Sequence, residues 1–203
     1  TWFYPGSGSA SNNRSVTYNY MDSSPQRAVW TTSSLARSAW ADSHIFGKPH
    51  ATEYDSSSTS DSTVGNTDGC TTYYEHETGN NQIKAGTATA ITANIQSGDF
   101  DLGVQGNLQG DTNAGEVMMK IRRVLPDFLT QTGTTRVTLN LKNYPTDSEA
   151  SSSLGPFDIT SSTDKIDTRA RARAIALKIS NTGVAQHWKV GTFRLDIQPD
   201  GRR

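Results

Sequence analysis

Residues 135–142 place Val137, Leu139 and Leu141 at every second position, with Arg136, Thr138 and Asn140 between them. Only a strand gathers such a pattern onto one face, because successive side chains leave a strand on opposite sides whereas a helix repeats every 3.6 residues. The pattern recurs: residues 191–198 set Phe193, Leu195 and Ile197 on one parity, and residues 15–21 set Val16, Tyr18 and Tyr20 against Ser15, Thr17 and Asn19. Further strand-like segments of five to eleven residues occupy 26–31, 35–41, 71–77, 85–95 and 116–125. Between them lie turn formers: Asp22-Ser23-Ser24-Pro25, Asp68-Gly69, Gly79-Asn80-Asn81 and Pro126-Asp127. Asp68-Gly69 is a hairpin signal, since a tight hairpin needs positive φ, which Gly adopts freely and Asp tolerates. Short strands at this cadence predict an all-β chain of the sandwich or propeller kind.

The supply of core is thin. Only 33% of the residues are hydrophobic, and serine and threonine, at about a quarter of the chain, outnumber the 19% that are charged. One modest core is the most such a chain can bury, and it gains from covering further surface against copies or partners. Coiled coils and long helical bundles are excluded by the absence of a sustained 3.5 or 3.6 period. No run of about 18 apolar residues is present to span a membrane. A single cysteine, Cys70, excludes an internal disulfide framework and a Cys-based zinc site within this chain.

The net charge of -1 supplies no global attraction to nucleic acid or an acidic membrane. Its distribution is uneven. Up to Gly110 there are five Lys or Arg against ten Asp or Glu, a balance of -5; from Asp111 onward there are fourteen against ten, or +4. The asymmetry predicts two domains, residues 1–97 and 116–203, separated by a Gly/Asn/Asp-rich boundary over 98–115. Residues 4–13, 56–67 and 145–155 read as polar loops. The chain opens on Thr1-Trp2 without a methionine or signal peptide, which predicts a processed chain or a portion of a longer one.

Enzyme signatures are sparse: no nucleophile elbow, phosphate-binding loop or dinucleotide fingerprint is present. Glu75-His76-Glu77, with His44 and His50 elsewhere, carries metal-ligand chemistry. In a strand, however, the two carboxylates point away from the imidazole, so a solvated strand is the stronger expectation. Asp99 and Asp101 share a parity beside glycines, whereas glycosidic catalysis needs two carboxyls facing each other across a cleft. Residues 66–69 resemble the start of a calcium loop but lack its closing glutamate. No metal, cofactor or catalytic residue is therefore expected.

The most distinctive segment is 165–180. Arg169, Arg171 and Arg173 alternate with Ala170, Ala172 and Ala174, and the arginine parity continues into Ile175, Leu177 and Ile179. As one long strand it sets three guanidinium groups on one face, protruding or leaving a sheet at the basic end. Such a row can clamp the carboxylates of a neighbouring chain or meet nucleic-acid phosphates. It can equally be an exposed basic face that discourages edge aggregation.

Several segments in order resemble the tail nozzle, or tail stabilisation (tail tubular), proteins of short-tailed bacteriophages. They are Leu35-Ala36-Arg37-Ser38-Ala39-Trp40, Tyr73-Tyr74-Glu75-His76-Glu77-Thr78-Gly79, Ile121-Arg122-Arg123-Val124-Leu125-Pro126-Asp127-Phe128, Gly155-Pro156-Phe157, Lys165-Ile166-Asp167-Thr168-Arg169-Ala170-Arg171-Ala172-Arg173 and the stretch from Trp188 to Arg203. Ala172 departs from the family, where glycine is expected. The resemblance implies a C-terminal portion of a non-enzymatic virion protein: propeller-like antiparallel strands followed by a β-sandwich-like platform. It further implies a ring of copies, a hexamer, below the portal and adaptor and near tail fibres or a needle, assembled in the host cytoplasm. The genome would pass through such a ring without sequence-specific binding. Within it, Arg169, Arg171, Arg173, Arg202 and Arg203 are assigned to subunit contacts. Two rival expectations stand beside it: a secreted or surface carbohydrate-binding β module using Trp2, Trp30, Trp40 and tyrosines, and a depolymerase or glycosidase resting on Asp99 and Asp101.

Overall fold

A computed structural model of the chain describes residues 1–55, 70–84, 86–102, 117–144, 146–147 and 152–201. The chain separates into two compact units, Thr1–Gly79 and Asn80–Arg203. Both are built from small antiparallel sheets, and the described helix is a single turn. Among the described residues no helix is long and apolar enough to cross a membrane.

The first unit holds two three-stranded sheets. Strands β1 (Trp2–Tyr4), β2 (Arg14–Ser24) and β3 (Arg27–Ser33) pair in the order β1-β2-β3, with Tyr18 opposite Trp30. Strand β4 (Ala39–Ala41) leads into helix α1 (Ser43–Phe46) and then into β5 (His50–Asp55) and β6 (Cys70–Glu75), paired as β4-β5-β6. Asp42 caps α1 by accepting from the Ser43 N–H, and Gly47, at φ 76, ends it in the left-handed conformation that costs glycine least. The Asp68-Gly69 turn and the 56–67 loop lie outside the described residues.

Here the alternating pattern misleads about burial. The parity of Val16, Tyr18 and Tyr20 was the expected inward face of β2, yet Tyr20 is 75% exposed while Ser15, on the other parity, is buried and shares a hydroxyl hydrogen bond with Ser33. Period two establishes that a segment is a strand, but whether either face is covered depends on tertiary neighbours. Strand 35–41 contracts to Ala39–Ala41, and Arg37, ahead of it, is buried.

The second unit carries the core. Its strands are β7 (Asn81–Lys84), β8 (Thr87–Ala90), β9 (Ala93–Gln96), β10 (Phe100–Asp101), β11 (Met119–Leu125), β12 (Phe128–Thr132), β13 (Thr135–Lys142), β14 (Ser153–Ile159), β15 (Ile166–Ala172), β16 (Ala174–Asn181), β17 (His187–Val190) and β18 (Arg194–Pro199). One sheet runs β10-β16-β13-β14 with β9 also on β16, a second runs β15-β11-β18, and β12-β17 and β7-β8 form two-stranded ribbons. The first two sheets supply one hydrophobic cluster. Met119, Ile121 and Val124 of β11, with Ala170 and Ala172 of β15, join Val137 and Leu139 of β13, Ile159 of β14, and Ile175 and Ile179 of β16. The predicted inward residues Leu141, Phe193, Leu195 and Ile197 are partly buried against it.

Three details differ from the sequence reading. The single strand expected over 85–95 is replaced by β8 and the start of β9, with Gly86, at φ 77, preceding β8 in the β7–β8 hairpin. Strands β9 and β10 both pair with β16, so the compact second unit takes in residues on either side of Gly98. Most of the expected 98–115 boundary, residues 103–115, lies outside the described residues. Finally, 165–180 is two strands in two sheets, joined by a bend at Arg173.

Gly155 shows how tightly β13 and β14 approach. Its φ is 116, and a Cβ there would lie 2.8 Å from the Val137 carbonyl oxygen. Only glycine fits both requirements.

Candidate functional site

Two places concentrate chemistry-bearing side chains, one in each unit. In the second unit it is the outer face of the sheet β15-β11-β18. Along β15, Ile166, Thr168, Ala170 and Ala172 are buried while Asp167, Arg169 and Arg171 are exposed. The expected separation of arginines and alanines onto opposite faces therefore holds along β15, and the structure turns Arg169 and Arg171 outward. Beyond Arg173 the parity inverts: Ile175 and Ile179, on the arginine parity, are core. The basic end is an edge strand paired throughout with β11, not a protruding arm.

Strand β11 adds Lys120, Arg122 and Arg123 to this face, and a bulge between Ile121 and Arg123, present against both neighbours, breaks the strict alternation there. Strand β18 adds Arg194, Asp196 and Gln198. Some of these charges satisfy one another. Arg123 donates to Asp167 at 3.0 Å and Lys165 reaches the same carboxylate at 3.2 Å, which holds Asp167 below the usual carboxylate range, Arg123 contributing most. Arg171 pairs with the Asp200 carboxylate and donates to its carbonyl oxygen at 3.2 Å. Arg173 is half-buried, with its backbone N–H on the Lys142 carbonyl at 3.1 Å. The side chains of Lys120, Arg122, Arg169 and Arg194 have no hydrogen bond or ion pair among the described residues. Arg202 and Arg203 lie outside the described residues.

In the first unit the site is a cluster around Arg37, which is only 4% exposed. Its Nη1 pairs with Glu53 on β5 at 3.2 Å, its guanidinium lies 4.2 Å from the ring centroid of Tyr74 on β6, and its Nε donates to Nε2 of His76 at 2.9 Å. Burial lowers the Arg37 pKa and Glu53 opposes the shift. Because His76 accepts through Nε2, the ring is neutral with its proton on Nδ1. Burial first, then the Arg37 charge, pushes its pKa below the usual histidine value. The other face of the cluster is Trp40, 4.7 Å from His76, with Phe3 5.6 Å beyond it. Sequence reasoning missed this assembly: Arg37 is a single charge in an apolar stretch, and its partners are 16 and 39 residues away.

The remaining candidates are dispersed. Glu75 pairs with Lys48 at 2.9 Å, and hydrogen bonds from Lys48 and then Thr78 lower its pKa; no group of three His, Cys, Asp or Glu able to hold a metal occurs among the described residues. Asp99 is paired with Lys142 at 2.7 Å, and Asp101 is exposed at the strand edge, so the two do not frame a cleft. The calcium-like residues 66–69 lie outside the described residues. On the sheet β1-β2-β3, Trp30 lies 4.7 Å from Tyr18 and 6.0 Å from Trp2, and both tryptophans are more than half exposed.

The segments that carry the phage-tail resemblance are neighbours within each unit. Arg37 and Trp40 meet Tyr74 and His76 in the first; in the second, β11 lies between β15 and β18, and Asp127 accepts from the Gly191 N–H. No protein-family model, no curated protein and no solved structure matches the chain.

Proposed function

We propose that this chain is a non-enzymatic structural subunit of a ring-forming assembly, a tail tube or nozzle component of a short-tailed bacteriophage. In this role it extends the portal–adaptor channel for DNA retention and ejection. One observation carries the reading. Among the described residues of the first unit only Ala51 and Tyr74 are buried hydrophobics, while Trp2, Tyr20, Met21, Trp30, Ile45, Phe46 and Tyr73 are all more than half exposed. With so little buried inside the unit itself, covering these side chains with a neighbouring subunit supplies the missing core. The ordered resemblance of the segments above adds the identity of the assembly. On this reading the first unit belongs to a propeller-like region and the second to a sandwich-like platform.

The mass of the native particle, by analytical ultracentrifugation or native mass spectrometry, tests it. A closed ring, six copies by the resemblance, is expected; a monomer at every accessible concentration overturns it.

A carbohydrate-binding module is favoured by a different observation, the open Trp2–Trp30–Tyr18 aromatic group, since sugar rings stack on such faces. Glycan-array binding by the monomer, lost in Trp30→Ala, would establish it; a silent array together with ring particles would remove it.

A further inference from the structure

We infer that the outer face of the sheet β15-β11-β18 docks the acidic first unit of a second copy of this chain, so that copies associate head to tail. The inference rests on the assembly reading above and names the surface and the polarity of its contact.

The face presents Lys120, Arg122, Arg123, Arg169, Arg171 and Arg194 against Asp167 and Asp196, with Asp200 holding Arg171. After internal pairing, the side chains of Lys120, Arg122, Arg169 and Arg194 are left without a partner among the described residues, and three of the four are arginines. A guanidinium offers a rigid planar fork matched to carboxylate or phosphate, and unlike lysine it is weakly hydrated, so it loses little on entering an interface. The cations are spread over adjacent strands about 4.8 Å apart, at alternate positions on β15 and with the alternation interrupted by the bulge on β11, which makes a two-dimensional array.

Two properties favour carboxylates over a nucleic-acid backbone. Asp167, Asp196 and Asp200 are interspersed with the cations, and each would repel a continuous row of phosphates. The outward residues include no aromatic ring, so the stacking by which a sheet holds single-stranded nucleic acid is missing.

The complementary surface is in the same chain. Residues 1–79 carry four Lys or Arg against eight Asp or Glu, a balance of -4, while residues 80–203 carry fifteen against twelve, +3. Of the four cations of the first unit, Arg37 is buried against Glu53 and Lys48 is engaged by Glu75; the other two, Arg14 and Arg27, are exposed, against the exposed carboxylates Asp22, Asp42 and Glu77. Contact between the same face on two copies would set arginine against arginine. Contact between unlike units sets opposite charges together, and that is the heterologous arrangement that closes rings.

The test is a charge swap in the full chain. Arg122→Glu/Arg169→Glu/Arg194→Glu should weaken self-association about 100-fold or more, because like charges are then juxtaposed across the interface. The circular dichroism and melting of the dilute protein should be unchanged, since all three side chains are exposed. Asp22→Lys/Glu77→Lys should fail to assemble alone in the same way. Mixing the two variants should restore particles in which they alternate, which native mass spectrometry reads directly from masses that differ between them. If the triple variant assembles like the wild-type chain, the face is not the contact and the inference falls while the ring reading stands. If the wild-type chain is a monomer at low salt, both fall. If it binds duplex DNA with a steep salt dependence that the triple variant loses while assembly is unchanged, the face reads phosphate and the assignment to carboxylates is overturned.

Discussion

The two units use the same strand chemistry to different ends. In Asn80–Arg203, two sheets contribute eleven buried residues to one cluster, eight of them with no solvent exposure: Met119, Ile121, Val124, Val137, Leu139, Ile159, Ala172 and Ile175. In Thr1–Gly79, the sheets keep their aromatic faces open, and the best-buried large side chain is an arginine held by a carboxylate, a tyrosine ring and a histidine. The contrast teaches that alternation specifies a strand in both units but yields a core only where a second sheet covers it. The first unit's internal order depends on electrostatics and ring contacts, which respond to pH and salt; the second unit's depends on apolar burial, which does so far less.

The contrast can be broken most directly in the second unit. Leu139→Ala removes a fully buried side chain and should cost about 2–5 kcal/mol, read by urea unfolding followed at Trp188; a loss well below 1 kcal/mol would mean the core is looser than described. In the first unit, Arg37→Ala strands Glu53, which is partly exposed, so the cost should be about 2 kcal/mol, less than for a fully buried pair. Hydrogen exchange should show that loss in β4–β6 and leave β13 and β16 unaffected. Gly155→Ala forces a side chain into a positive-φ site against the Val137 carbonyl and should cost about 1–3 kcal/mol in the second unit.

A pH titration separates the units further. The folded chain depresses the His76 pKa, so between that value and about 6.5 the unfolded chain binds more protons than the folded one, and stability rises with pH. The neutral-histidine contribution is present in full above that window and is lost as pH falls through it. Acidification should therefore destabilise the first unit before the second, with Trp40 fluorescence reporting it, and His76→Gln should flatten the slope. Smallest of all, Trp30→Ala should change the stability of the isolated chain by only about 0.5 kcal/mol, because the ring is already more than half exposed; a much larger effect would show that the face is covered within the chain itself.

How much was legible follows from the same physics. Strands β13 and β18 were readable together with their core parity, because Val137, Leu139, Leu195 and Ile197 are aliphatic, regularly spaced and covered on one side, whereas β11 was readable as a strand without its parity. The separation of arginines and alanines onto opposite faces of β15 was readable from the same regular spacing. The bend at Arg173 was not, because Arg-Ala alternation and Ile-Ala alternation join without a turn former between them. Nor was the Arg37 cluster, whose members are brought together only when β4, β5 and β6 pair.

That bend acts as a converter of parity. Even-numbered residues face the core up to Ala172, and odd-numbered ones, Ile175 and Ile179, do so after it. The chain thus spends one residue, Arg173, on changing sheets, and the length of the joint becomes as exacting as any buried side chain. Deleting or inserting a single residue between Ala172 and Ala174 would leave every neighbouring residue chemically acceptable, yet it would turn Ile175 and Ile179 of β16 away from the core cluster and bring the Lys178 parity toward it, Ala176 being buried already. Tolerance to insertion at this point is therefore expected to come in twos, a counting rule imposed by geometry where the amino-acid types alone would permit any number.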